Sequence, residues 1–304
     1  MIEGEPTSTP SPDRPPAAGR DVPSSARQTL KLMKYQLREY LLSRRFVILL
    51  LLVAAIGVLI TAIVAHFRGA YVSDNLSFYQ SLWGGGAGFV AVLSAVFFGG
   101  DAIAGEFQNR TGYFLMGLPL RRATVYVGKY LAALVASCTV LMLFLGILVA
   151  NGALYFGAGA LPGQLAPSLA LAGAYLVSVL AMTFLLSSLF KNGAYSFVLT
   201  AILFLAGFSL LQDFMQGLAQ LQPWELISYA SQTIGEVFQP RVNWGLYGVG
   251  VKAADVGGGG GVALHTGNVV AWTPGIAEGA VIMMAYWALT LFVGLALFKQ
   301  EEFS

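Results

Sequence analysis

Charge is scarce in this chain. Only 11% of its 304 residues are Asp, Glu, Lys or Arg, against about 25% in ordinary soluble domains, and a surface so poor in charge cannot face water on all sides. Cysteine is nearly absent: Cys138 stands alone, which excludes an intramolecular disulfide and any metal site needing two thiolates. His66 and His265 are the only histidines and lie far apart, so no histidine-rich metal centre is expected. Catalytic motifs are missing as well. Gly128-Lys129 is followed by Tyr130, and Ala123 stands where a Walker A loop would place its first glycine; the chain therefore has no such loop for ATP phosphates. G-x-S-x-G and H-E-x-x-H are also absent, removing the commonest serine and zinc hydrolase sites. No basic stripe long enough to neutralise many phosphates occurs, which argues against nucleic acid as a partner.

What fills the chain instead is apolar. Hydrophobic residues make up 57% and the mean hydropathy is +0.70. A transmembrane helix needs roughly 20 apolar residues, so the length predicts six spans with connections and leaves no room for a large soluble domain. The charge-free runs locate them. Phe46 to Ala65 gives the first span, and about Leu82 to Gly100 the second. The uncharged run from Tyr130 to Phe190 is too long for one crossing and is divided into spans three and four by Gly157-Ala-Gly-Ala-Leu-Pro-Gly163 and Pro167. Asn192 to Gln212 gives the fifth and Gly279 to Phe298 the sixth. The predicted fold class is an all-α membrane protein.

Cation placement sets the expected orientation, because cytoplasmic loops carry the excess of Lys and Arg. Of the 17 Lys and Arg, all but Arg68, Arg241 and Lys252 fall on one side of this six-span plan. That side holds both termini, which are therefore predicted to be cytoplasmic in a multi-pass protein of the cell membrane. Residues 1–28, rich in Pro and Ser, bury too little apolar area to offset the entropy of ordering and read as a disordered tail. Residues 29–45 follow as an amphipathic helix on the inner membrane surface: Leu30, Met33, Leu37 and Leu41 form one stripe, with Arg38 and other cations around it. Residues 46–304 form the transmembrane domain. Its long external excursion, about residues 213–275, reads as a lid packed on the helix ends, with a dedicated binding module as the alternative. It has a short helix starting near Pro223, with Glu225 at the helix N-terminus, and a mobile five-glycine connector at Gly257–Gly261. Small residues, including Gly84, Gly85, Gly86, Gly88, Gly146, Gly173 and Gly294, are expected at helix contacts.

The segment between spans two and three is the most informative. Asp101 and Glu106 end an apolar helix with acid, which is unfavourable against the helix dipole; Arg110, Arg121 and Arg122 are the nearest cations expected to compensate. Thr111-Gly112 ends the cytoplasmic helix, Leu115, Met116 and Leu118 form an apolar patch, Pro119 turns the chain, and Gly128-Lys129 leads into span three. On composition alone this could be an interfacial elbow that merely obeys the charge rule.

The order Gly105-Glu106, Thr111-Gly112, Pro119, Arg121, Gly128-Lys129 resembles the membrane subunits of ABC transporters of the ABC-2 (type V exporter) class. The pair here reads Thr-Gly where that family more often has Gly-Thr. The motif covers about 30 residues, and the six-span plan extends the resemblance over most of the chain. The resemblance implies a permease that works with a separate ABC ATPase subunit, which binds ATP and Mg, and with a second permease copy in the lipid bilayer. No cofactor or catalytic residue is implied in this chain. It further implies that Glu106, Arg110, Thr111, Gly112, Leu115, Met116, Leu118, Pro119, Arg121 and Arg122 form the ATPase-coupling elbow, and that the amphipathic helix borders the ATPase. The reading is an ATP-driven exporter subunit. A membrane anchor or assembly subunit that transports nothing shares every compositional feature and is separated from it by the absence of an ATPase partner. A passive channel would need rings of polar pore residues, and an intramembrane enzyme a paired nucleophile and base.

Overall fold

The computed structural model of the chain describes residues 25–67, 74–108, 122–157, 159, 161–217, 219–252 and 270–300. Among them lie six helical segments long and apolar enough to cross a membrane: Arg44–His66, Asn75–Gln108, Arg122–Phe156, Leu165–Leu189, Gly193–Gly217 and Ile276–Gln300. The predicted spans are thus all present; spans two, three and five extend a turn or more beyond the predicted bounds, and the others lie close to them. Cations near the apolar runs are tolerated because long Lys and Arg side chains reach toward the interface.

A first helix, α1 (Ser25–Leu42), precedes the spans and begins within the stretch assigned above to the tail. Span one is α2 (Arg44–His66), and the break between the two is made by Ser43, whose Oγ accepts the Phe46 N–H at 3.2 Å as an N-cap. Span two is composite: α3 (Asn75–Tyr79), a π-turn (Gln80–Gly84), α4 (Gly85–Gly99) and, after a turn at Gly100–Ile103, the short α5 (Ala104–Gln108). Span three is α6 (Arg122–Phe156), closed by Gly157 in the left-handed region at φ 89°, where glycine carries no Cβ penalty. Span four is α7 (Leu165–Leu189). Span five opens at Asn192, whose Oδ1 accepts the Ala194 N–H at 2.9 Å, and runs as α8 (Gly193–Ile202), a second π-turn (Leu203–Gly207) and α9 (Phe208–Gly217). Span six is α12 (Ile276–Gln300).

Burial orders the bundle. The most apolar window of span two is 72% buried and that of span four 56%, whereas spans one, five and six have 22%, 17% and 22%. Spans two and four are therefore the core, and the other three present most of their surface outward. Span four packs along both span six and span two, span three lies against span two, and α1 lies along span three. The layer between spans two and three is aromatic: Trp83 stacks on Phe144 with ring centroids 6.1 Å apart. Trp83 also donates Nε1–H to Ser168 Oγ at 2.9 Å, which places its polar edge on span four.

The alternating direction of the spans puts α1 and the end of span six on the same face, here called the basic end; the opposite face is the loop end. At the loop end the excursion packs on the helix ends with more structure than the sequence announced; it is called the lid below. Pro223 opens a turn, not a helix, and the first helix starts four residues later as α10 (Ile227–Ser231), followed by α11 (Thr233–Glu236). Ile227, Tyr229, Ala230, Ile234, Val237 and Phe238 are buried beneath them. Two short antiparallel strands, β1 (Val249–Lys252) and β2 (Val270–Thr273), pair with Val249 opposite Thr273. They are a small exception to the all-helical plan. The five-glycine run lies outside the described residues.

The lid sinks along span six: the Tyr286 hydroxyl donates to the Glu225 carbonyl, and Tyr286 lies ten residues into α12, about 15 Å from its start. Glu278 in the first turn of α12 latches it, accepting from Gln222 Nε2 at 2.7 Å and from the Gly275 N–H at 3.1 Å. The two π-turns and the lid enclose a cavity of about 330 Å³ walled by Phe89, Tyr175, Phe204 and Phe208, with Gln212 buried at its edge. Close backbone contact holds the lid to span two: a Cβ on Gly84 would stand 2.5 Å from Gly235 Cα. Gly86, Gly88 and Gly294 likewise meet neighbouring side chains, whereas Gly85, Gly146 and Gly173 face open space, so the expectation of helix contacts does not hold for those three.

This contrast generates a test. Gly84→Ala overpacks a backbone-to-backbone contact and should cost about 1–3 kcal/mol, lowering the thermal midpoint of the purified chain. Gly146→Ala, equally apolar and equally helical, should leave that midpoint unchanged or raise it, since alanine is the better helix former.

Candidate functional site

The site is built on the turn where span two stops at the basic end. A helix end leaves carbonyl and N–H groups without partners inside the helix, and close to a bilayer these groups are costly unless bonded. Gly99 and Gly100 make the turn fit: a Cβ on Gly99 would strike Thr183 of span four, and one on Gly100 would stand 2.6 Å from the Val96 carbonyl. The turn closes part of its own bonding, with Ala102 N–H to Gly99 O at 3.3 Å and Gly105 N–H to Asp101 O at 2.8 Å.

Side chains from four other elements supply the rest. The Tyr40 hydroxyl of α1 donates to the Phe98 carbonyl at 3.4 Å. Ser196 of span five donates to the Gly100 carbonyl. Lys129 of span three donates to the Ala102 carbonyl at 3.1 Å. On the donor side, Ser187 Oγ of span four accepts both the Ile103 N–H at 3.0 Å and the Ala104 N–H at 3.1 Å. Gln108 closes the set by accepting the Gly193 N–H, the first of span five, at 2.8 Å. Burial pushes the Tyr40 phenol well above its ordinary range, and the neighbouring Asp101 carboxylate adds to the shift; Tyr40 is thus a neutral donor at any physiological pH.

Two ion pairs complete the turn. Asp101 is paired with Arg45 at 2.5 Å, at the start of span one. Glu106 is paired with Lys129, seven residues into span three. Among the described residues, cations at the starts of neighbouring spans thus meet both acids; Arg110 and Arg121 lie outside the described residues. Arg122 donates to the Lys299 carbonyl at 2.9 Å, which ties the start of span three to the end of span six and sets a cation at that helix's negative pole. Lys129 is 4% exposed as a residue while the Glu106 side chain is 22% exposed, so the pair lies at the edge of the protein interior with Lys129 as its deeply buried member.

The Gly128-Lys129 step works on two faces. Gly128 admits α1: a Cβ there would stand 2.6 Å from Leu32 Cδ2. Lys129, next in sequence, points toward the span two turn. Ser25 Oγ and Thr124 Oγ1, 3.3 Å apart, continue the α1 contact one turn earlier. This fixes the roll of α1 against span three. Thr29, Leu32, Met33, Gln36, Leu37 and Tyr40 are its half-buried face, whereas Leu30 is 65% and Leu41 38% exposed, beside exposed Arg38. Of the stripe, Met33 and Leu37 face the bundle and Leu30 and Leu41 do not. The span three surface sets the roll, because the gap at Gly128 receives Leu32.

Of the predicted elbow, Glu106 and Arg122 are in the described structure. Arg110, Thr111, Gly112, Leu115, Met116, Leu118, Pro119 and Arg121 lie outside the described residues. The residues not singled out as site members are Arg45, Lys129, Ser187, Ser196 and Gln108. Lys129 carried a readable signal, being a lone cation just before a long uncharged run; the two serines carried none, since serine is common in apolar helices. Among the described residues no three His, Cys, Asp or Glu side chains converge to hold a metal ion.

A six-span bundle with a broken second span, a helix before span one and a lid between spans five and six is the architecture of a multi-pass membrane protein. Residues 30–303 match the family described as ABC-2 family transporter protein, and the chain belongs to that family. No curated protein matches it in sequence.

The ion pair gives a direct prediction. Removing one partner of a buried pair costs about 3–5 kcal/mol, because the other charge is left behind. Glu106→Ala and Lys129→Met should each destabilise the chain in lipid nanodiscs, toward the lower end of that range given the partial exposure of Glu106. The double variant should lose clearly less than the sum of the two. A coupling energy near zero in this cycle would remove the pair from the hub.

Proposed function

We propose that this permease couples ATP hydrolysis by a separate ATPase subunit to export of a substrate, and that the basic end is its cytoplasmic, ATPase-facing surface. Membership of the ABC-2 family supports a membrane permease of an ABC transporter. The observation that carries the finer reading is the segment Phe98–Gln108: one short stretch bonded to α1 and to spans one, three, four and five. It leads directly into residues 109–121, the proposed docking elbow. A force applied there reaches every bonded partner at once.

In this reading the ATPase closes on ATP and pushes the elbow, the Glu106–Lys129 pair carries the displacement into span three, and Ser187 and Gln108 carry it into spans four and five. Arg110, Arg121 and Arg122 supply cations to the docking surface, Leu115, Met116 and Leu118 its apolar contact, and Thr111, Gly112 and Pro119 its turns. The exposed Leu30–Arg38–Leu41 face of α1 borders the same partner. Two permease copies and two ATPase subunits form the working assembly. The ATP and Mg belong to the partner.

Two experiments test this. In the complex reconstituted with its ATPase, Glu106→Ala should leave ATP turnover largely in place and lower transport per ATP about tenfold, the effect of removing about 1.4 kcal/mol from the coupled step. An unchanged ratio of transport to ATP turnover would exclude Glu106 from the transmission path. Orientation is tested in a background with Cys138→Ser: a membrane-impermeant maleimide should label Tyr247→Cys at the loop end in intact cells, and Lys34→Cys on α1 only after permeabilisation. The reverse pattern would invert the assignment.

A further inference from the structure

A second cavity, about 450 Å³, lies at the basic end where spans one, two and five meet. Its walls change character with depth. Arg45 is the second residue of α2, Asp101 follows the end of α4 by two residues, and Gly193 is the first residue of α8; three span ends thus bring their polar groups to one level. Phe97 lies one turn below Asp101, and Phe197 and Val198 one turn below Gly193, about 6 Å deeper. The two phenylalanines meet edge to face with centroids 5.7 Å apart. A polar rim above an aromatic wall, at the boundary of a membrane-spanning bundle, has the profile of a lipid headgroup above its acyl chain.

The rim is also electrically specific. Arg45 and Asp101 share one contact, Nη1 to Oδ2. The other guanidinium nitrogens and Asp101 Oδ1 make no bond among the described residues, and the Arg45 side chain is 60% exposed. The rim therefore offers one cationic donor group and one anionic acceptor group side by side. Exposed Ala194 and Val198 open the flank of the cavity outward, in the direction a bilayer would occupy.

We propose that this cavity binds the headgroup of a zwitterionic aminophospholipid: its phosphate on Arg45, its primary ammonium on Asp101, and the start of one acyl chain along Phe97, Phe197 and Val198. A cavity of this volume fits a headgroup and the beginning of a chain, and the remainder of the lipid lies in the bilayer. A purely anionic headgroup would gain Arg45 but meet the Asp101 carboxylate. A choline headgroup has no N–H to donate to that carboxylate, whereas a primary ammonium has three donors. The bound lipid would bridge span one to span five beside the turn of span two.

The test uses the full chain purified in mild detergent and native mass spectrometry, with phosphatidylethanolamine, phosphatidylcholine and phosphatidylglycerol supplied at equal concentration. The wild type should retain phosphatidylethanolamine about tenfold over either competitor, the factor expected for one charge-assisted hydrogen bond. Asp101→Asn should collapse that preference toward unity while retaining phospholipid, and Arg45→Ala should lower retention of all three. Val198→Trp, at an exposed wall position whose change leaves the fold intact, should lower phosphatidylethanolamine retention about tenfold by filling the cavity with no change in thermal midpoint. Soluble phosphoethanolamine in excess should not displace the lipid; displacement would identify a soluble ligand and overturn the assignment to the bilayer. Equal retention of phosphatidylethanolamine and phosphatidylglycerol by the wild type would also overturn it, as would an undiminished preference in both Asp101→Asn and Val198→Trp.

Discussion

The structure depends on a helix that stops where it cannot afford to leave its ends bare. Span two is the most buried element of the bundle, and its backbone breaks at Gly99–Ile103 near the level where water gives way to lipid. The carbonyls of Phe98, Gly100 and Ala102 and the N–H groups of Ile103 and Ala104 need partners there, and each comes from a different part of the chain or is shared with one. Because an unbonded buried backbone group costs about 1–3 kcal/mol, the arrangement of α1 and of spans three, four and five at this end follows from satisfying one turn. The helices are positioned around the break.

The same requirement gives physical meaning to the Gly-Lys step in the resemblance. Glycine at 128 and lysine at 129 are adjacent in sequence and so face different directions on the helix. One receives Leu32 of α1 and the other reaches Ala102 and Glu106 of span two. A larger residue at 128 would push α1 off span three, and a shorter or neutral one at 129 would leave Glu106 without its cation. The step joins the helix before span one to the turn after span two through two residues.

The parts legible in the sequence were those set by long-range composition. Charge-free runs located all six spans, because lipid tolerates so little charge that its absence is a strong signal over 20 or so residues. The lid was legible from its position and its Leu226–Val237 apolar residues. Other features depended on three-dimensional neighbours. Arg45 and Lys129 were not legible as partners of Asp101 and Glu106, because they are remote in sequence and meet the acids only once the helices pack side by side. The roll of α1 on span three was not legible, because the gap at Gly128 that receives Leu32 shows only once the helices are packed. Ser187 and Ser196 gave no warning: a serine bonding a remote turn looks in sequence like a serine bonding its own helix.

Both ends of the bundle combine close glycine contacts with side-chain bonds. At the loop end Gly84 meets the Gly235 backbone, Gly279 the Thr233 side chain and Gly152 the Tyr79 side chain. Such contacts depend on shape and do not survive a displacement of an ångström, because close-packed interiors resist deformation. At the basic end Gly99 and Gly128 meet Thr183 and Leu32 in the same way, and side-chain bonds are added: Lys129 and Arg45 through flexible stems, Gln108 through a rotatable amide, Tyr40 through its hydroxyl. These can follow a moving partner by changing rotamer while the bond persists. The two π-turns, Gln80–Gly84 and Leu203–Gly207, sit beside the cavity at the loop end, where a change in tilt of spans two and five would alter its volume most directly.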